Sequence, residues 1–139
     1  MSSAVIFVVF IAIILAAAIV AIMLMTRGRG SAFNREKYQA DWLRIENSVA
    51  RGNINSYRLA ILDADSLLDR ALKESGVDGD TMGERLKNAN GKFANINQVW
   101  TAHKLRNHLA HNADAHVNEI VLRRAIGIFK RSLKELGAI

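Results

Sequence analysis

Histidine, arginine and asparagine side chains are concentrated in one stretch of the sequence, residues 95–116. This stretch contains all four histidines of the 139-residue chain, and within it Arg106 and Asn107 are followed by His111. Histidine titrates near neutral pH and can transfer protons, while the planar fork of arginine fits the oxygens of a phosphate. Cleavage of RNA by attack of its own 2′-hydroxyl group needs no metal ion. These residue types therefore predict acid–base chemistry on a phosphodiester, with Arg106 and His111 as the central side chains.

The direction in which Arg106 points on a helix is unusual for a charged residue. At about 100° per residue, a helix through this stretch places Arg106 on its apolar side, with His103 and Asn107 beside it. A charge on a packed face must be paired or hydrogen-bonded. These polar groups therefore either satisfy one another or line a cleft. The apolar residues of that face are Ile96, Val99, Trp100, Ala102 and Leu109.

A purely structural network is one interpretation of this cluster. In that case Arg106 pairs with a carboxylate of a neighbouring helix, and Asp63, Asp65 and Asp69 are the candidate partners. An Arg106 that is fully paired and sealed from solvent would favour this interpretation. An exposed His111 on each protomer of a dimer would favour an enzyme.

A metal site is a second interpretation. His108 and His111 lie three residues apart and could share a helix face. The chain has no cysteine and no His-Glu-x-x-His pattern, and Asp114 and His116 could add ligands only from a loop. We therefore expect no resident metal ion and no cofactor.

The five-residue offset between Arg106 and His111 restricts the acid–base interpretation. On a straight helix this offset separates two side chains by about 140°. The two residues would converge only if the helix unwinds near Ala110, or if a second protomer completes the site.

The string from Arg106 to His111 resembles the Arg-polar-xxx-His motif of the HEPN superfamily. The resemblance implies a small all-α bundle in which two motifs meet in a dimer, and many members are metal-independent endoribonucleases. It also implies that Arg106 binds or polarises the scissile phosphate, that Asn107 orients the site and that His111 is the acid–base residue. His103 and His108 on the same helix are accessory candidates.

Three longer strings, LDADSLLDRALKESG, GDTMGERLK and WTAHKLRNHLAH, resemble those of bacterial single-span membrane proteins of this type. The similarity covers about residues 34–139. Many domains of the superfamily bind or regulate without cleaving RNA, so the resemblance is also compatible with a non-catalytic interaction module.

Residues 1–26 are predicted to form a membrane anchor. The run from Ala4 to Met25 is apolar over 22 residues, which is enough to cross a hydrocarbon core of about 30 Å. The three residues before it carry no charged side chain, unlike the basic start of a signal peptide. Basic residues follow the run, so the positive-inside bias predicts a single-pass protein of the cell membrane whose C-terminal domain is cytoplasmic. Residues 27–33 would form a short juxtamembrane linker.

Residues 34–139 are predicted to form an all-α domain, a HEPN-like up-and-down bundle of four to five helices. The chain contains no proline and has apolar stripes at helical spacing. Thr81 and Glu84 have the spacing of a capping box before the shortest helix. The predicted helices cover about residues 34–51, 54–75, 82–88, 95–111 and 118–136.

The charge of the chain is compatible with two classes of function. A formal net charge of +6 suits contact with nucleic acid or with anionic lipid. We expect either an RNA-cleaving or RNA-binding effector that acts as a homodimer at the lipid bilayer, or a non-catalytic membrane-tethered module that binds a regulatory protein partner.

Overall fold

The computed structural model describes residues 3–27, 33–112 and 115–139. Within these ranges the chain contains six α-helices and no β-strand, so the all-α prediction is confirmed. The chain divides into two compact units, Met1–Ser31 and Ala32–Ile139. The helices are α1 (Ser3–Arg27), α2 (Arg35–Ser48), α3 (Ile54–Glu74), α4 (Met82–Asn88), α5 (Ile96–His111) and α6 (Glu119–Glu135).

Helix α1 makes up the described part of the first unit. Its most apolar window, Val5–Ile22, has a mean hydropathy of 3.5, and none of that window is buried. The helix is therefore long and apolar enough to cross a membrane, a property that signal sequences at an N-terminus share. The helix continues through Arg27, one residue into the predicted linker, and residues 28–32 of that linker lie outside the described residues.

The four long helices of the second unit run in alternating directions. Because each contact joins the beginning of one helix to the end of the next, consecutive long helices are antiparallel, as in an up-and-down bundle. Helix α3 lies centrally, since it packs against α2, α4, α5 and α6. The contacts that define the directions are Tyr38–Arg70 between α2 and α3, Arg58–Leu109 between α3 and α5, and Gln98–Arg131 between α5 and α6.

The core of this unit is built on the apolar stripes of α3 and α6. On α3, Ile61, Leu68 and Leu72 recur at helical spacing and are fully buried, as are Phe129 and Leu133 on α6. Each such side chain contributes about 1.5–3 kcal/mol through burial. Helix α5 buries far fewer apolar side chains, and the rest of its inward face is polar.

The helix ends are set by local capping hydrogen bonds and backbone conformation, and the apolar pattern predicts them less well. Helix α2 ends at Ser48, three residues before the predicted end, and Gly52 with φ 78° lies in the turn beyond it. The hydroxyl of Thr81 accepts from the backbone nitrogen of Glu84 at 3.2 Å, as predicted. The expected reciprocal bond is different, because the Glu84 carboxylate accepts from the backbone of Asp80 at 2.7 Å.

Candidate functional site

A closed ring of four polar side chains connects α3 to the inward face of α5. The carboxylate of Asp65 lies 2.8 Å from Nδ1 of His103 and 3.3 Å from Nε of Arg106. Arg106 Nη1 donates to Oδ1 of Asn107 at 3.0 Å, and Nδ2 of Asn107 lies 3.2 Å from Nε2 of His103. We call these residues, Asp65, His103, Arg106 and Asn107, the polar ring.

Helical spacing explains why the polar ring forms. His103, Arg106 and Asn107 are three and four residues apart, so their side chains lie on one face of α5. The antiparallel packing of α3 brings Asp65 against that face. Asp65 is 3% exposed, and a carboxylate at that depth requires compensating partners, which the arginine and histidine provide.

The hydrogen bonds of the polar ring assign one tautomer to His103. Because Asp65 only accepts, the proton on the imidazole belongs on Nδ1, and Nε2 accepts from the amide of Asn107. The amide oxygen of Asn107 then faces Arg106, which donates to it. Each nitrogen of the imidazole therefore has one partner within the polar ring.

Arg106 is held by the polar ring without being sealed from solvent. Its side chain remains 31% exposed. Nε lies close to Asp65 but has no aligned hydrogen bond. Of the five N–H donors of a guanidinium, one on Nη1 is used by Asn107, and no described residue accepts from Nη2. The side chain is therefore oriented and still has donors for a ligand.

An open cleft of about 480 Å³ lies beside the polar ring. The ring residues and Asp69 form one side, and Thr81, Met82 and Gly83 at the start of α4 form the other. Gly83 lines the cleft without a side chain, and a β-carbon at this position would lie 3.6 Å from the indole of Trp100. Most of the polar side chains that line the cleft lie on α3 and α5, and Thr81 caps α4.

Arg85, on α4, joins that helix to α3 at the cleft. Its guanidinium donates to both carboxylate oxygens of Asp69, at 2.7 and 3.1 Å, and to the backbone oxygen of Gly79. The hydrogen bond to Asp69 raises the pKa of Arg85. Asp69 is neutralised by this pair, as Asp65 is by Arg106. The cleft therefore presents fixed polar groups with little net charge.

His111 is not part of the polar ring. It is exposed at the C-terminal end of α5, and the helix is unbroken up to that residue. The five-residue offset therefore keeps His111 about 140° around the helix from Arg106. One chain brings Arg106 and Asn107 together with His103 and leaves His111 apart. The catalytic role of His111 stays a prediction that requires a second chain.

The remaining predicted site residues lie at the same end of α5 or beyond it. His108 is exposed, and its Nδ1 lies 3.2 Å from the amide nitrogen of Asn112. His116 is exposed, and Asp114 lies outside the described residues. Within the part of the chain that the structure describes, no group of three or more histidines and carboxylates is placed to hold a metal ion.

One residue of the site was only partly anticipated from the sequence, and another was missed. Asp65 was one of three candidate partners for Arg106, but its contact with His103 was not predicted. Its position directly after the buried Ala64 on α3 is the signal that a carboxylate lies at the edge of the core. Arg85 was missed, because nothing in the sequence of α4 indicates that its side chain is 9% exposed and bound to Asp69.

Comparison of the chain with protein families, with curated proteins and with solved structures finds no match in any of the three.

Proposed function

We propose that the second unit is a HEPN-like domain that binds and cleaves RNA as a homodimer, held at the cytoplasmic side of the membrane by α1. The observation that carries the proposal is that the Arg106 side chain is both held in one orientation and partly exposed. Two neighbours fix its guanidinium, yet the side chain is 31% exposed at an open cleft, with donors left for a phosphate. The fork of arginine recognises phosphate oxygens in this way.

The proposed reaction is transesterification within the RNA strand. The 2′-oxygen attacks the adjacent phosphorus while a histidine takes its proton, and the bond from phosphorus to the 5′-oxygen breaks as that oxygen receives a proton. The products are a 2′,3′-cyclic phosphate and a 5′-hydroxyl. Arg106 stabilises the phosphorane charge, and His111 of the second chain is the acid–base residue.

The other members of the polar ring are positioning residues in this proposal. Asp65 and His103 hold the amide of Asn107 in one orientation, and Asn107 in turn holds Nη1 of Arg106. Because Asn107 holds Nη1, the guanidinium of Arg106 still faces the cleft although its Nε lies close to the carboxylate of Asp65.

The test is cleavage of single-stranded RNA by the full chain in neutral lipid nanodiscs, in the presence of EDTA. Wild type should produce 2′,3′-cyclic phosphate ends. Arg106→Ala and His111→Ala should each lower the rate at least 100-fold, because each removes a group that acts on the transition state. Arg106→Lys should restore little, since the fork is lost and the charge is kept. His116→Ala is the matched control and should cleave at the wild-type rate. An unchanged rate in a folded His111→Ala or Arg106→Ala protein would refute the catalytic assignment of that residue.

One observation favours a second function, that of a non-catalytic interaction module. The polar ring closes within one chain, and no ligand is needed to hold its four side chains together. In that case a folded dimer would show no cleavage, and Arg106→Ala would sharply lower the melting temperature because Asp65 would lose its partner.

A further inference from the structure

A second groove lies on the opposite flank of α5, between α5 and α6. Its volume is about 520 Å³. Gln98 and Thr101 line it from α5, and Arg124, Gly127 and Arg131 line it from α6. We call it the arginine groove.

The spacing on α6 builds the arginine groove. Arg124, Gly127 and Arg131 share one helix face, and the two arginines are two turns apart, or about 10 Å along the helix axis. A β-carbon on Gly127 would meet no atom within 4 Å, so the space between the arginines is open down to the backbone. A glycine inside a helix costs about 1 kcal/mol relative to alanine, and this position has no packing reason for it.

The charge of the arginine groove is not compensated. Arg131 is oriented by Gln98, to whose side-chain oxygen it donates at 3.2 Å, and it keeps its charge. The side chain of Arg124 is exposed and forms no hydrogen bond or ion pair with any described residue. The nearest acidic residue after Arg131 on α6 is Glu135, and its carboxylate accepts from the backbone of Ala94 at 3.2 Å. The cleft beside the polar ring is different, because each of its carboxylates is matched by an arginine.

The outward face of α5 connects the two sites. Helix α5 contains no acidic residue, and Lys104, His108 and His111 on this face are exposed. On a helix they lie between the position of Asn107 at the cleft and that of Thr101 at the arginine groove. A polyanion in the groove can therefore cross α5 without meeting a carboxylate of that helix.

We propose that the arginine groove binds the phosphate backbone of single-stranded RNA and supplies the electrostatic attraction that the neutralised cleft lacks. That the polyanion is RNA rests on the proposed function, whereas the groove itself rests on its own contacts. None of its lining residues is aromatic, so it offers no platform for stacking bases. Contacts to the backbone position a strand without reading its sequence.

The experiment measures the binding of a 2′-O-methyl oligonucleotide to the full chain in nanodiscs of zwitterionic lipid, over a series of KCl concentrations. The 2′-O-methyl group blocks the attacking oxygen, so the probe stays intact. Arg124→Gln/Arg131→Gln should weaken binding at least tenfold, equally for two unrelated sequences. The slope of log K against log salt is negative, and its magnitude should decrease by about 1.4, since each phosphate contact on a single strand contributes about 0.7.

The matched control is Arg44→Gln/Arg51→Gln, which removes the same charge from exposed positions on and after α2. This control should lower the salt slope much less. An equal loss in both double variants would mean that only net charge matters, and it would overturn the proposal. Absence of oligonucleotide binding by wild type would also overturn the proposal. So would a result in which Arg124 and Arg131 are needed for binding to anionic vesicles but not for binding to the oligonucleotide.

The cleavage assay separates this proposal from the proposed function. Loss of oligonucleotide binding in Arg124→Gln/Arg131→Gln, together with normal cleavage by Arg106→Ala, would support the groove and refute the catalytic assignment. Unchanged binding in the double variant, together with cleavage abolished in Arg106→Ala, would refute the groove and support the catalytic assignment.

Discussion

At the scale of single residues, the orientation of Arg106 depends on a carboxylate in the adjacent helix. Asp65 contacts both Nδ1 of His103 and Nε of Arg106, so one buried group fixes a tautomer and a guanidinium at once. Asn107 closes the ring through its amide. The histidine nearest to Arg106 within one chain is therefore occupied in holding the site together.

Asp65→Ala should lower the free energy of unfolding by about 2–4 kcal/mol. Removal of one partner from a buried ion pair costs about 3–5 kcal/mol, and the partial exposure of Arg106 reduces that loss. Denaturant titration measures the change. Asp63→Ala, an exposed carboxylate on the same helix, is the control and should stay within about 0.5 kcal/mol of wild type. If Asp65→Ala changed the free energy of unfolding as little as Asp63→Ala does, the polar ring would not contribute to stability.

The sequence predicted part of this arrangement. Helical spacing was enough to place Arg106, His103 and Asn107 on one face, because that inference needs only the angle per residue. The choice of Asp65 among three carboxylates depends on how α3 is rotated and shifted against α5. That choice is determined by packing across the whole core, which local spacing does not contain.

At the scale of elements, α5 separates two polar sites. Its α3 side carries the polar ring, and its α6 side carries Gln98 and Thr101 of the arginine groove. The C-terminal end of α5 is held by Arg58, which donates to the backbone oxygens of Leu109 and Asn112 at 2.7 and 2.9 Å. The helix that bears the predicted catalytic residues is thus anchored at the end where His111 lies.

Arg85→Ala should loosen the α4 side of the cleft and lower the free energy of unfolding by about 2–3 kcal/mol. The substitution leaves Asp69 without its charged partner and the backbone oxygen of Gly79 without its donor. Hydrogen exchange should rise in residues 77–88 before other parts of the domain. Lys87→Ala, at an exposed position on the same helix, should leave both exchange and stability unchanged. Exchange that rises uniformly over the domain would contradict a local role for Arg85.

The ends of the helices were predicted to within one residue, except for the end of α2. The apolar stripes of α3 and α6 repeat over several turns, so their limits were right to within one residue at each end. The end of α2 was predicted three residues too late, at Arg51, directly before Gly52. In the structure the backbone is already extended at Val49, whose φ and ψ are −79° and 119°.

At the scale of the whole molecule, the chain joins an apolar helix to a helical domain with two candidate sites. The window Val5–Ile22 is apolar enough for a bilayer, and a retained anchor would confine any RNA contact to the membrane surface. Membrane confinement raises the encounter rate between two copies of the chain, which suits a site that needs two chains.

The full chain should remain in the membrane fraction after carbonate extraction, and its mass should include the residues of α1. A cleaved signal sequence has the same apolar character and is removed during export. Mass spectrometry of the purified protein distinguishes these cases. A mature chain that begins after residue 20 and is released by carbonate would contradict the anchor.

The central claim, that Arg106 of one chain acts with His111 of another, is tested most directly by mixing two inactive variants. Arg106→Ala and His111→Ala proteins are co-reconstituted, and RNA cleavage is measured against each variant alone. The account predicts recovery of about one quarter of the wild-type rate, because half of the dimers are mixed and each mixed dimer has one intact site out of two. Recovery of no activity, by variants that form dimers as readily as wild type, would contradict a site shared between two chains.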